Sequence, residues 1–264
     1  MTEPSQPTRP PGPPNANRTR RRLAEDDRGV SEVIAFILVF VIILGSVGIL
    51  YMAGFSSLQN TQETEQLMNA ERAMESLVAN LNDVQRHAGI EERAGELNLR
   101  GGTLEVESGM TNVTVNDSNG DEVTNVTDIQ ALTYSEGDTE ISYHGGALFG
   151  SAGGDSVDLR SPAARCAADS AVMTIAVIDR DEVRMTTDGT VEVTAVEQET
   201  ETYRLDGGND ANVTLEDAAH AQGWQTGLER NGWDVEESGD DLVVTCDGAD
   251  RMVVRLVTID LEFA

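Results

Sequence analysis

The side chains of this 264-residue chain that are best suited to chemistry are few and scattered. Its three histidines, His87, His144 and His220, share no metal-ligand spacing, and no Gly-x-Ser-x-Gly turn, phosphate-binding glycine loop or zinc signature occurs. A Ser/His/Asp site assembled only in space stays open, but no local pattern points to one. Asp206-Gly-Gly-Asn-Asp could offer oxygen ligands to a cation, yet it lacks EF-hand spacing and a solvated turn explains it more simply. No metal, cofactor or catalytic residue is therefore expected, and the chain is not read as an enzyme.

Covalent modification has better signals. Cys166 and Cys246 form an even pair, which outside the cell argues for a disulfide. Closing a loop of about 80 residues would stabilise the fold by at most roughly 4.5 kcal/mol in the chain-entropy model. Two buried free thiols are the alternative. Asn112, Asn116, Asn125 and Asn212 each begin an Asn-x-Ser/Thr acceptor pattern and are glycosylation candidates. Chance competes with that reading in a chain rich in Asn, Thr and Ser.

The charge is unevenly distributed. Eighteen basic residues, all Arg, stand against 47 acidic ones, for a net charge of −29. Residues 1–29 hold six Arg and four acids, so they carry +2 and the remainder carries −31. Such a polyanion is a poor partner for phosphate backbones, which excludes a nucleic-acid reader. Self-repulsion at this density strains a compact state at ordinary ionic strength and is screened in molar salt. The acid-rich, lysine-free composition is similar to that of proteins from extreme halophiles; an acidic mesophilic surface is the alternative.

Six of the seven prolines fall within the first fourteen residues, which predicts a disordered tail. A basic cluster, Arg18 to Arg22, and an acidic patch, Glu25-Asp26-Asp27, follow it. Val33 to Phe55 is then an uncharged, strongly apolar run of 23 residues. As a helix it would span roughly 34 Å, enough for a bilayer core of about 30 Å. Five Arg precede it closely and only Arg72 follows within about twenty residues, so the amino terminus is expected in the cytoplasm and the acidic bulk outside. An ordinary secretory signal fits poorly, because the run is too long and no Ala-x-Ala site closes it. Thr19-Arg20-Arg21-Arg22-Leu23 hints at a twin-arginine signal, but three acids intervene and the run is too hydrophobic.

Asp27-Arg28-Gly29-Val30-Ser31-Glu32-Val33-Ile34 resembles the class III signal peptide of archaeal type IV pilins and archaellins. The resemblance covers about 25 residues and implies cleavage between Gly29 and Val30 by a prepilin-peptidase-like protease. Processing would then involve Arg28, Gly29, Val30 and Ser31, and the apolar helix would be retained for packing against other pilin subunits. A small residue before the scissile bond admits extended backbone to a protease cleft, while Arg28 keeps the bond at the water interface. Many members of that family have Pro where Glu32 stands. Glu32 could pair with the new α-amino group of Val30 during assembly, or simply complement the helix dipole. A permanently anchored single-pass surface protein, its outer domain binding a ligand or the envelope, is the competing reading.

The apolar helix is expected to continue. Leu67, Met74, Leu81 and Ala88, with Ala70, Leu77 and Val84, form an amphipathic stripe, and Gly89 supplies a stop. Residues 90–264 change period. Runs beginning at Thr103, Asn112, Thr139, Ala171, Thr190, Asp241 and Met252 read as strands between Gly-containing turns. One interrupting helix is expected, capped by Thr214 with Asp217 three residues on and presenting Ala218, Ala219, Trp224 and Leu228; its internal Gly223 and Gly227 argue against it. The expected class is α+β, divided into a disordered basic leader (1–29), a pilin-like helix (30–89, with 33–55 in the membrane) and a β-rich extracellular head (90–264).

Overall fold

The computed structural model describes residues 17–86, 89, 91–152, 154–207 and 210–264. The chain divides into two compact units, Met1–Glu63 and Thr64–Ala264. Helix α1 is Asn17–Arg86. It begins within the segment expected to be a disordered leader; the proline-rich residues 1–16 lie outside the described residues. Gly89, at φ +98, has the left-handed backbone expected of a stop just beyond the helix. Ala88 and the side chain of Leu67, both placed on the stripe, lie outside the described residues.

Among the described residues sixteen strands follow in chain order: β1 (Glu92–Asn98), β2 (Thr103–Glu107), β3 (Asn112–Asn116), β4 (Glu122–Val126), β5 (Ala131–Glu136), β6 (Thr139–His144), β7 (Ala147–Ala152), β8 (Asp155–Arg160), β9 (Ala163–Ala167), β10 (Ser170–Ile178), β11 (Val183–Thr186), β12 (Thr190–Asp206), β13 (Asn212–Glu216), β14 (Asp234–Ser238), β15 (Asp241–Thr245) and β16 (Arg251–Phe263). Helix α2 (Ala221–Arg230) separates β13 from β14. All seven expected strand runs are strands. They form three sheets, ordered β1-β12-β16-β10-β9, β11-β2-β5-β6-β7-β8 and β14-β15-β13-β3-β4. Every pairing is antiparallel except β10 with β16.

The first sheet serves two cores from opposite faces. Ala171, Met173 and Ile175 of β10, with Met252, Val254 and Leu256 of β16, face a core shared with α2 and the third sheet. Then two buried apolar residues come in succession, Ile175-Ala176 and Leu256-Val257, and shift the buried apolar pattern from one face of the strand to the other. Ala176 and Ile178, with Val257, Ile259 and Leu261, consequently face the other core. That core is closed by Ala70, Met74, Leu77, Val78, Leu81 and Val84 of α1 and by the second sheet. The stripe read from the sequence is thus the buried face of α1 in this unit.

Strand β12 makes the same crossing by another route. Its apolar residues Val191, Val193, Ala195, Tyr203 and Leu205 keep one parity, which would leave them all on one side of a regular strand. A bulge between Glu197 and Glu199 inserts one residue opposite β16, so Ala195 stays with Leu261 while Tyr203 pairs with Val254.

The expected helix is displaced. Thr214 caps nothing; it lies in β13, between β3 and β15, because Val213 and Leu215 alternate inward and find partners on both sides. The helix starts at Ala221, with His220 as a left-handed N-cap at φ 59 and no capping side chain. Gly223 and Gly227 are there for close approach. A Cβ on Gly223 would lie 2.5 Å from the Phe149 ring, and one on Gly227 2.9 Å from Cδ of Pro162. The helix-propensity penalty of two glycines is the cost of laying α2 directly on β7 and the loop after β8.

Candidate functional site

The N-terminal unit carries the most specific functional signal. Among the described residues one helix is long and apolar enough to cross a membrane, the 22-residue stretch Ser31–Met52 of α1, and every residue in it is exposed. A long helix of apolar residues this exposed needs another apolar surface, lipid or protein, to cover it. Ser31 and Glu32 are exposed at the start of this stretch. The Gly29–Val30 bond lies within the helical span of α1, one turn before the apolar run, while the side chains of Arg28 and Val30 lie outside the described residues.

In the β-rich unit, Cys166 and Cys246 stand at disulfide-bonding distance with their Cα atoms 5.6 Å apart. Cys166 lies on β9, at the edge of the first sheet, and Cys246 directly follows β15 of the third. A disulfide between them would join two sheets across 80 residues of sequence.

The four acceptor asparagines are brought onto one face of the third sheet. Val113, Val115, Val213 and Leu215 point into the core, which turns Asn112 and Asn116 of β3 and Asn212 of β13 outward. Asn116 and Asn212 are register partners, and Nδ2 of Asn116 donates to Oδ1 of Asn212 at 3.1 Å. Asn125 of the edge strand β4 is opposite Thr114 and donates to its Oγ1 at 2.9 Å. Sequence spacing grouped the first three; only strand pairing adds Asn212.

His87 lies outside the described residues, but His144 and His220 meet, their ring centroids 5.9 Å apart. His144 is fully buried on β6. Nδ1 lies 3.4 Å from Trp224 Nε1–H, and Nε2 lies 3.1 Å from the Ile129 carbonyl, to which only an Nε2–H can donate. That is a neutral tautomer with both nitrogens engaged. Burial pushes its pKa down to about 3, and the neighbouring His220 adds to the effect. His220 stacks on Phe149 at 5.2 Å; burial also lowers its pKa, opposed by the negative charge of Glu107. These imidazoles act as core groups holding α2 to β6 and β7, and no nucleophile is hydrogen-bonded to either in the described structure.

The sequence did not reveal a second polar knot. Asn82 and Gln85, both buried on α1, reach the second sheet: Nδ2 of Asn82 donates to the Gly146 carbonyl at 3.2 Å, and Nε2 of Gln85 donates to Oδ1 of Asn82 at 3.0 Å and to the Tyr143 hydroxyl. Tyr143 in turn donates to Oδ1 of Asn82 at 3.2 Å. Polar residues on an apolar stripe are the signal that could have found it.

A cavity of about 520 Å³ opens between β6, β8 and the start of α2, lined by Asp138, Glu140, Asp155, Ser156, His220 and Gln222 among others. Among the described residues no group of three or more His, Cys, Asp or Glu could hold a metal ion. Two residues of the Asp206–Asp210 segment lie outside the described residues.

Fold and site together define an α+β protein with an N-terminal apolar helix, one candidate membrane span, and a β-rich domain containing a cysteine pair at disulfide distance. A family model matches residues 28–262, that of a family of unknown function, DUF7289, and the chain belongs to this family. The match begins at Arg28, beside the candidate processing junction. No curated protein and no solved structure matches the chain.

Proposed function

We propose that this protein is a type IV pilin-like structural subunit, a minor one, of an archaeal surface filament or related assembly. It acts by packing and not by catalysis. In this reading a prepilin-peptidase-like protease cuts between Gly29 and Val30 on the cytoplasmic side. The retained apolar helix is held in the membrane until it packs against the helices of other subunits, and the β-rich domain is displayed outside as the head.

The observation that carries the reading is the junction itself. A charged residue and a glycine, Arg28 and Gly29, stand within one turn of the 22-residue candidate span Ser31–Met52, whose every residue is exposed. The same helix supplies, further on, the amphipathic face that packs into the β-rich domain. A single element with one half in need of an apolar environment and the other half built into a domain suits a subunit that is stored in lipid and then assembled. The net charge of the remainder, −31 after removal of residues 1–29, fits a domain displayed in concentrated salt.

Mass spectrometry of the mature amino terminus tests it. A chain beginning at Val30 is expected. A chain that keeps Arg18 to Gly29 would instead identify a permanently anchored surface protein.

A further inference from the structure

We infer that the outer face of the β14-β15-β13-β3-β4 sheet is a glycan-bearing face on which Asn125 is an acceptor, Asn112 is not, and Asn116 and Asn212 are mutually exclusive. The inference rests on the reading that this domain lies outside the cytoplasm. It uses the fold to separate four sites that are equivalent as sequence patterns.

The chemistry is the same at each. The amide Nδ2 attacks the anomeric carbon of a sugar carried on a lipid phosphate, the carbon–oxygen bond to the phosphate breaks, and the phosphate leaves with the electron pair. The proton lost from Nδ2 goes to a base of the transferase. The modified side chain must then project a bulky, hydrated group away from the core.

Asn125 meets that demand. It is exposed on β4, an edge strand paired only with β3, and the Thr127 that completes its acceptor pattern is also exposed. Its Nδ2 donates one hydrogen bond to Thr114, which leaves its second hydrogen for substitution. A glycan there also shields the open edge against pairing with another chain.

Asn112 does not. Its Oδ1 accepts from the Asp128 backbone N–H at 2.8 Å, tying the amide to the loop after β4. The hydroxyl its acceptor pattern requires, Thr114 Oγ1, is buried, donates to Glu216 at 2.6 Å and accepts from Asn125. Asn112 also stands opposite Glu216 in the pairing of β3 with β13.

Asn116 and Asn212 are directly opposite, where Cβ atoms of antiparallel partners are about 4.5–5.5 Å apart. Their amides already touch through a 3.1 Å hydrogen bond. A sugar on one amide occupies the space above the other, so the pair has room for one glycan.

The test is glycopeptide mapping of the full-length protein from its native cells, together with intact masses of the protein and of the double variant Asn112→Gln/Asn125→Gln. Wild-type protein is expected to carry a glycan at Asn125 and none at Asn112. The double variant, in which only the pair remains outside the leader with its Asn17-Arg18-Thr19 pattern on the cytoplasmic side, is expected to carry one glycan mass per molecule and never two. Molecules of the double variant with two glycans, occupancy at Asn112, or an unmodified Asn125 would each overturn the inference, and the wild-type map alone decides if the variant does not fold. Protease treatment of intact cells separates the two levels. A domain cut from outside yet bare of glycan overturns this inference alone, whereas a protected domain overturns it together with the extracellular reading.

Discussion

Ile175 of β10 and Leu256 of β16 are register partners, and each is the last residue of its strand to face the α2-side core before its successor faces the α1-side core. The crossing is made at one level of the sheet by two strands running in the same direction. In β12 the equivalent crossing depends on one inserted residue, Gln198, between the pairs Glu197–Ile259 and Glu199–Thr258. A single sheet can therefore close two cores without either face presenting a long apolar surface to water.

Deleting Gln198 tests this arrangement. Without the inserted residue the far half of β12 slips by one position, and Tyr203 and Leu205 turn toward the opposite face. A loss of about 3 kcal/mol is expected from their lost burial. Denaturant unfolding of the deletion variant against wild type measures it, and an unchanged midpoint would show that the bulge does not set the register.

Acid should weaken the β-rich domain partly through His144. In the unfolded chain this imidazole protonates near 6.5, whereas in the folded state burial, helped by the neighbouring His220 and opposed by the hydrogen bond to the Ile129 carbonyl, holds it neutral to about 3. The unfolded state therefore binds more protons between these values, so the contribution of His144 is complete above pH 6.5 and is lost as pH falls toward 3. His220 shifts in the same direction. His144→Phe should flatten the pH dependence of stability between pH 6.5 and 4, and should itself cost roughly 1–3 kcal/mol at pH 7 by leaving the Trp224 N–H without its acceptor. Urea midpoints of both proteins at pH 7 and pH 4, in one high-salt buffer, give the comparison.

Gly223→Ala should destabilise, although alanine is the better helix former by about 1 kcal/mol. The added methyl would lie 2.5 Å from Cδ1 of Phe149, whose ring is also packed against Trp224 and His220. Overpacking of this kind costs roughly 1–3 kcal/mol. Thermal unfolding provides the check: a raised Tm would mean that α2 can lift off β7 without penalty.

Replacing both cysteines by alanine removes the link between the edge strand β9 and the end of β15. The loss should approach, and not exceed, roughly 4.5 kcal/mol in the chain-entropy model. Because Asn231 O also accepts from the Cys166 backbone N–H at 3.0 Å, β9 should stay docked. The variant is expected to unfold at lower denaturant while retaining the same far-ultraviolet circular dichroism.

Salt should act on the whole molecule. With a net charge of −29 the folded state repels itself until the Debye length shrinks to roughly 3 Å near molar salt. Tm is expected to rise steeply from low to molar salt. Equal values in both would remove the halophilic reading.

Much of the architecture was legible along the chain. Val33 to Phe55 announced an apolar helix by composition alone, and the stripe at Ala70, Met74, Leu77, Leu81 and Val84 announced its buried continuation by period. The alternating runs at Thr103, Asn112, Thr139, Thr190 and Asp241 are strands for the same reason. The misplaced helix shows where such reading stops. Thr214 with Asp217 satisfied a local capping pattern, but Val213 and Leu215 had partners on β3 and β15, and pairing on both sides outweighs one capping hydrogen bond. Gly223 and Gly227 argued against a helix locally, while the surface beneath them, Phe149 and Pro162, required glycine.

The linear features were determined by the sequence itself: the charge asymmetry, the apolar run, the Arg28-Gly29-Val30 junction and the four acceptor patterns. Each depends on residues that are neighbours in the chain, so composition and spacing are enough to state it. Tertiary structure decided what depends on partners distant in sequence. It set Asn212 beside Asn116, Cys166 beside Cys246 and His144 beside His220, and it passed the buried face of one sheet from Leu256 to Val257. Those relationships follow from strand register and from which faces can be dried together, and neither is written in any single segment.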